Sequence, residues 1–93
     1  MKGFETPQAQ VVDETAVVPD ANLIKPAPNQ FTHQLSREEP YFYQGAQRGR
    51  PPDGTFSSGT KVVLMVYDGG AYCRVADSRG LYVETGYEAL ANL

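Results

Sequence analysis

Three short runs of β-branched and aromatic residues, separated by glycine-containing turns, constrain the fold of this chain more than any other feature. The runs cover residues 61–67, 71–76 and 81–84. Asp68-Gly69 lies between the first two runs, and Asp77-Ser78-Arg79-Gly80 lies between the last two. Both turn sequences are typical of tight turns because glycine adopts a positive φ at little cost. The pattern therefore predicts three consecutive antiparallel strands.

Alternation along these runs predicts which side chains are buried. Successive side chains of a strand point to opposite faces, so every second residue shares a face. The expected core consists of Val62, Leu64, Val66, Ala71, Cys73, Val75, Leu81 and Val83, with Phe42, Phe56 and Leu90 closing its ends. A curled sheet buries these faces and removes most free edges, whereas a flat sheet does not. The sequence thus predicts an all-β fold, a small β-barrel of about five short antiparallel strands.

Shorter segments extend this prediction at both ends. Residues 40–45 are expected to form an aromatic strand, and residues 54–57 a short extended piece. Residues 30–36 alternate in polarity, which indicates either a short strand or an ordered lead-in to the barrel. Residues 87–90 are expected to form one helical turn after the last long strand.

The N-terminal third of the chain has a different composition. Residues 1–30 contain four of the seven prolines, one aromatic residue and one glycine. Such segments bury too little apolar surface to offset the entropy of ordering, so we expect a flexible, largely disordered tail over 1–30. The barrel domain is then residues 31–93, with the strongest support over 40–90. Apolar doublets recur every six residues in the tail and end with Leu23-Ile24. They indicate either an arm that adds to a sheet edge or a chance pattern in a disordered leader.

The length and charge of the chain exclude several classes of function. With 93 residues, the chain has room for at most one domain. Its formal net charge is −3, with eight Lys plus Arg and eleven Asp plus Glu. This balance provides no attraction for a phosphate backbone, so we expect no nucleic-acid partner. No apolar run approaches the roughly 18 residues of a membrane-spanning helix, so we expect no direct membrane span.

A series of short motifs in the second half of the chain follows a recognisable order. The motifs are Gly59-Thr60-Lys61-Val62, then Gly69-Gly70-Ala71-Tyr72-Cys73-Arg74-Val75, then Gly80-Leu81-Tyr82-Val83, and finally Leu90. In this order they resemble the bacterial SH3-like domain, a small β-barrel of exported or lipid-anchored bacterial proteins. The resemblance covers residues 50–90 well and residues 40–50 weakly.

This resemblance also implies a location. Domains of the family are common in exported, lipid-anchored or wall-associated bacterial proteins. We therefore expect the chain in the cell envelope or periplasm, exported and with its signal sequence removed, and a lipid anchor is compatible with that expectation. A cytoplasmic location is the alternative that the sequence leaves open, since Met1-Lys2-Gly3 leads into polar sequence and not into a signal peptide.

The sequence offers little material for catalysis or metal binding. His33 is the only histidine and Cys73 the only cysteine. A Cys–His nucleophile needs the two side chains within hydrogen-bond reach and an exposed thiol, whereas alternation places Cys73 on the inward face beside Val75. The two residues are also forty positions apart, which matches no usual metal-ligand spacing. We therefore expect a protein that is not an enzyme and has no metal or cofactor.

An outward set of tyrosines is the strongest candidate for a binding surface. The expected ligand-binding residues are Tyr41, Tyr43, Tyr72 and Tyr82, with Arg48, Arg50 and Asp53 supplying charge from the adjacent polar loop. Tyrosine suits recognition because it offers a large, rigid contact area with a polar tip. The alternative interpretation is that these rings only pack on one another across neighbouring strands.

Two functional hypotheses follow. The first is a non-catalytic binding or scaffolding module of the bacterial cell envelope, which recognises a protein, a peptide or a peptidoglycan fragment through the tyrosine surface. The second is a structural spacer or assembly domain of a lipoprotein, with no ligand of its own.

Overall fold

A single antiparallel sheet forms the body of this protein. The structure, a computed structural model, describes residues 18–46 and 50–93. The strands are β1 (His33–Leu35), β2 (Glu39–Phe42), β3 (Gly54–Phe56), β4 (Lys61–Tyr67), β5 (Tyr72–Asp77), β6 (Tyr82–Gly86) and β7 (Leu90–Asn92). The helical elements of the described residues are two 3-10 turns, Asp20–Asn22 and Tyr87–Ala89. The second of them is the helical turn predicted after the last long strand.

The strand order explains how the sheet curls. It is β3-β2-β6-β5-β4-β1-β7, and every neighbouring pair is antiparallel. The meander β4-β5-β6 corresponds to the three runs that dominate the sequence. β1 pairs with β4 on one side and with β7 on the other, which brings the C-terminal strand against the N-terminal one. The all-β prediction and a barrel-like arrangement are thereby confirmed.

The number of strands differs from the prediction. Among the described residues the sheet has seven strands, not about five. β1 is the short strand that was one of the two alternatives for residues 30–36, whereas β7 was not predicted as a strand; each is three residues long. β1 pairs with β4, and β7 pairs with β1, with His33 opposite Asn92 and Leu35 opposite Leu90. A segment as short as β7 contains too little alternation to be identified without its pairing partner.

A β-bulge at Met65 reverses the faces of the last part of β4. Leu64 lies opposite Val75 of β5. The next pair is Val66 with Arg74, so Met65 is an extra residue in β4. Val66 therefore shares the outward face with Arg74 and is 53% exposed, which corrects its predicted burial. Alternation fails here because one inserted residue moves every later side chain to the other face.

The core lies on the inner face of the curled sheet. The buried cluster consists of Leu35, Phe56, Val62, Cys73, Val75, Leu81, Val83 and Ala89. Six of these, all except Leu35 and Ala89, belong to the predicted core. Val62, Val75 and Val83 are completely inaccessible to solvent, so the meander strands supply the centre of the core.

Other members of the predicted core lie nearer to solvent. Ala71 is exposed because it belongs to the loop over 68–71, whereas β5 begins at Tyr72. Leu64 and Leu90 are half-buried and pack against the core cluster. Phe42 is half-buried and lies opposite Glu84, which puts it on the outer face. It is therefore not the inward plug that the sequence predicted.

Part of the segment predicted as a flexible tail contacts the sheet. Leu23 forms an isolated antiparallel bridge with Leu81, and the Ile24 N–H donates to the Gly80 carbonyl at 2.7 Å. Gly80 has φ +85°, and a Cβ there would lie 2.4 Å from the Ile24 carbonyl oxygen. Only glycine allows this close approach. Residues 1–17 of the predicted tail lie outside the described residues.

Asn22 fastens this segment to the sheet with its side chain. It is 4% exposed, and its Nδ2 donates to the carbonyls of Tyr43 and Tyr82 at 2.8 and 2.6 Å. β2 pairs with β6 only as far as Phe42 opposite Glu84. Asn22 therefore satisfies carbonyls at the point where those two strands separate.

Candidate functional site

A shallow concavity lies on the outer face of β4, β5 and β6. Its volume is about 300 Å³. We define the outer-face site as the following lining residues: Val66, Asp68, Tyr72, Arg74, Tyr82 and Glu84. Alternation brings the residues of β5 and β6 to this face, and the bulge in β4 adds Val66 to them.

Arg74 occupies a fixed position in the outer-face site. Its guanidinium carbon lies 5.4 Å from the centroid of the Tyr82 ring, at cation–π distance. One terminal nitrogen donates to the Tyr43 carbonyl at 3.1 Å. Two different contacts thus orient the guanidinium of Arg74, which as a residue is half-buried. A pre-oriented side chain loses less conformational entropy when a ligand binds.

Glu84 lies directly opposite Arg74 on the neighbouring strand. Its carboxylate accepts a short hydrogen bond from the Ala46 N–H. The same oxygen would lie 3.4 Å from a Cβ on Gly45, whose φ of +127° itself favours glycine. The outer-face site is mixed in charge, because Arg74 is positive whereas Glu84 and Asp68 are negative. This arrangement suits a ligand that has both hydrogen-bond donors and acceptors.

The rim of the outer-face site is apolar and exposed. Val66 is 53% exposed and Tyr72 45% exposed, and Met65, the bulged residue beside Val66, is 48% exposed. Tyr72 offers an aromatic face, which contributes large contact area at low entropic cost. Exposed apolar residues around a polar centre are typical of interaction surfaces.

A pair of stacked tyrosines was not predicted from the sequence. The Tyr67 and Tyr87 rings lie 3.7 Å apart with an interplanar angle of 6°. Tyr67 lies opposite Cys73, so the bulge has turned it to the inner side of the sheet. Tyr87 is the first residue of the 3-10 turn. The stack depends on the bulge at Met65, and the sequence pattern does not reveal that bulge.

The predicted tyrosine surface is divided between two faces of the protein. Tyr72 and Tyr82 both line the outer-face site. Tyr41 lies opposite the buried Thr85 and packs against the core, with its ring 4.8 Å from that of Phe56. The register of β2 against β6 therefore turns Tyr41 inward.

The remaining predicted site residues lie in and around the β2–β3 connection. Tyr43 is half-buried, packs against the core and lies 6.2 Å from the Tyr41 ring. Asp53 closes the connection, because its carboxylate accepts the Tyr43 N–H at 2.8 Å. Arg50 is exposed in the connection. Arg48 lies outside the described residues.

The two residues considered for nucleophilic catalysis have separate structural roles. The Cys73 thiol is buried and lies 3.6 Å from the Thr85 carbonyl oxygen, to which it donates. Burial, assisted by the charge of Glu84, raises its pKa to about 11. His33 in β1 lies 2.8 Å from the Thr32 hydroxyl through Nδ1. Across residues 18–46 and 50–93, no group of three or more His, Cys, Asp or Glu has the arrangement of a metal site.

Comparisons with known proteins identified no relative of this chain. No family model, no curated protein and no solved structure matches the chain. In the part of the chain that the structure describes, no helix has the length and apolar character needed to cross a membrane.

Proposed function

We propose that this protein is a non-catalytic binding module of the SH3-like kind, which recognises a peptide or a cell-wall fragment through the outer-face site. The observation that carries this proposal is the pre-oriented Arg74 guanidinium in a 300 Å³ concavity, with exposed Tyr72 and Val66 at its rim. A peptide backbone or an N-acetylated sugar offers the hydrogen-bond acceptors that Arg74 requires and the donors that Glu84 requires.

The connectivity of the sheet supports the SH3-like part of the proposal. A three-strand meander is completed by two short terminal strands that pair with each other, and a 3-10 turn precedes the last strand. The β2–β3 hairpin lies in the long connection between β1 and β4 and pairs with β6. We regard this order, together with the glycine and tyrosine motifs, as that of an SH3-like barrel.

A titration of the ¹⁵N-labelled chain, followed by amide chemical shifts, tests the binding function. Soluble muropeptides and unstructured peptides of mixed charge are suitable probes. We expect saturable shifts at residues 66, 72, 74, 82 and 84. Tyr72→Ala should weaken binding by tenfold or more while leaving the fold intact, because the side chain is half exposed. Leu93→Ala is a matched control, since Leu93 is 58% exposed and follows β7, an edge strand that contributes no residue to the outer-face site.

The second candidate function is a structural spacer or assembly domain without a ligand. One observation favours it: Arg74 and the Tyr82 carbonyl already take part in contacts that join β5, β6 and the segment at Asn22. If no probe shifts the outer-face amides at millimolar concentration, and Arg74→Gln lowers stability, the spacer function replaces the binding function.

We also propose a location in the bacterial cell envelope, which rests on the SH3-like resemblance alone. Cells that express the native gene with its upstream sequence can be fractionated and probed with an antibody against this chain. We expect the protein in the periplasmic or membrane fraction. If a lipid anchor is present, globomycin should block the processing of the precursor. Recovery in the cytoplasmic fraction alone would favour the alternative.

A further inference from the structure

A second concavity lies at the opposite end of β5 from Tyr72. Its volume is about 320 Å³, and it lies between the β3–β4 connection and the β5–β6 turn. We call it the hydroxyl cleft, because four of its lining residues are Thr55, Ser57, Thr60 and Ser78. The first two and Ser78 are exposed, and Thr60 is half-buried. This volume is within the range of small-molecule pockets.

An arginine held rigidly by a buried carboxylate forms one wall of the hydroxyl cleft. The Arg79 Nε and one terminal nitrogen donate to the same Asp77 oxygen at 2.9 and 2.7 Å. The Asp77 side chain is 3% exposed, whereas that of Arg79 is 65% exposed. A guanidinium has five N–H donors, so donors remain after the hydrogen bonds to Asp77 and Tyr41 are made, and Arg79 lines the cleft. Asp77 thus holds Arg79 in one orientation.

The charges of this wall decide what chemistry the hydroxyl cleft favours. Asp77 and Arg79 are the charged residues of the lining, and they neutralise each other. An anionic ligand therefore gains little net attraction, because Arg79 already has a carboxylate partner. Each serine or threonine hydroxyl both donates and accepts hydrogen bonds, as do the hydroxyls of a sugar.

We propose that the hydroxyl cleft binds a neutral, polyhydroxylated ligand of monosaccharide or disaccharide size. Arg79 donates to ligand oxygens, and the hydroxyls of Thr55, Ser57 and Thr60 exchange hydrogen bonds with ligand hydroxyls. Phe56 is 2% exposed and offers no open aromatic face for stacking. Binding is therefore in the millimolar range. This cleft is separate from the outer-face site, and its ligand does not depend on the function proposed above.

A ¹⁵N titration of the full chain with glucose, maltose, N-acetylglucosamine and its β-1,4-linked dimer tests the proposal. We expect saturable amide shifts at residues 57, 60, 78 and 79 with at least one of these sugars. Inorganic phosphate should cause no saturable shift there. The double variant Thr55→Val/Ser57→Ala should raise the dissociation constant at least tenfold. It removes hydroxyls that are exposed and therefore leaves the fold unchanged.

Ser58→Ala is the matched control, because Ser58 is an exposed hydroxyl of the same connection that does not line the cleft. It should leave the affinity unchanged. Three results overturn the proposal: no saturable shift with any of the four sugars, equal affinity in the double variant, or saturation by phosphate but not by sugars. Shifts confined to residues 66, 72, 74 and 84 also overturn it and instead locate binding in the outer-face site.

Discussion

Asp77 shows how one residue of this small protein carries a buried charge. It is 2% exposed, at the end of β5. One carboxylate oxygen accepts the N–H groups of Arg79 and Leu81, and the other accepts two donors of the Arg79 guanidinium. Burial of a carboxylate is costly unless its oxygens are satisfied. These four hydrogen bonds satisfy it and determine the course of the β5–β6 turn.

We predict that Asp77→Asn lowers the free energy of unfolding by about 2–3 kcal/mol. The new amide nitrogen would face the Arg79 guanidinium, and two donors cannot bond to each other. Urea denaturation of the full chain measures the change.

The control for this substitution is Asp68→Asn. Asp68 is exposed, and its single hydrogen bond to the Gly70 N–H is one that an asparagine oxygen also makes. This variant should change stability by less than about 0.5 kcal/mol. Equal effects of the two variants would contradict the role assigned to Asp77.

Cys73 makes stability depend on pH in the alkaline range. The folded thiol has a pKa of about 11, raised by burial and then by Glu84, against an ordinary value of 9.0. Well below pH 9 both states are protonated, so the contribution is constant. Between about pH 9 and 11 only the unfolded chain loses the proton, so stability falls as pH rises. The urea midpoint should therefore decline more steeply for the wild type than for Cys73→Ala over this interval.

The raised pKa of Cys73 also predicts that its thiol reacts slowly with thiol reagents. A rise of about two units reduces the thiolate fraction near pH 8 by about a hundredfold. Because the thiol is also buried, a disulfide reagent should label Cys73 at least about a hundredfold more slowly than a free cysteine, and urea should restore the rate. Rapid labelling of the folded chain would reopen the question of a catalytic thiol.

The alternation of inward and outward side chains in β4 reverses at Met65. Before Met65 the alternation is regular and Val62 is fully buried. After Met65 it is reversed, which exposes Val66 beside Arg74 and allows Tyr67 to stack on Tyr87. The bulge therefore creates part of the outer-face site and the tyrosine stack at once. Bulges often re-aim side chains in this way.

A Val→Ala substitution on each side of Met65 tests whether the alternation in β4 reverses there. Val62→Ala should cost about 2 kcal/mol, because it leaves a cavity in the core. Val66→Ala should cost less than about 0.5 kcal/mol, because the side chain is largely in solvent. Urea denaturation compares the two. A large loss in Val66→Ala would indicate that Val66 is inward and that the bulge is absent.

On the scale of the whole molecule, the segment before β1 belongs to the folded unit. Leu23 bridges to Leu81, and Asn22 satisfies two carbonyls where β2 and β6 diverge. A domain of this size buries a limited fraction of its surface, so such additional contacts are a sizeable part of its stability. The apolar doublet Leu23-Ile24 is part of this contact.

We predict that Asn22→Ala lowers the free energy of unfolding by about 1–3 kcal/mol, because it removes the Asn22 donor from the Tyr82 carbonyl and one of two donors from the Tyr43 carbonyl. It should also accelerate hydrogen exchange at the Ile24 amide, which donates to Gly80. Asn29→Ala is the control, since Asn29 is exposed. Unchanged stability and exchange in Asn22→Ala would show that the segment does not contribute to the fold.

Local patterns were sufficient to identify the meander. β-branched runs and glycine turns predicted the strands that became β4, β5 and β6, and alternation predicted the burial of Val62, Cys73, Val75 and Val83. The turn at Gly80 and the helical turn at Tyr87 also followed from neighbouring residues. These features depend on chain chirality, side-chain period and glycine conformation, all of which act over a few residues.

The composition of the outer-face site depended instead on contacts between distant segments. The register of β2 against β6 turned Tyr41 inward and Phe42 outward, and the bulge opposite β5 brought Val66 to the surface. Tyr72 and Tyr82 were predicted as outward residues, but their partner Arg74 gained its orientation from the distant Tyr43 carbonyl. A shift of one residue in pairing exchanges the two faces of a strand, and pairing is chosen by the packing of the whole sheet. Short-range patterns therefore specified the strands, while long-range packing selected the side chains that face solvent.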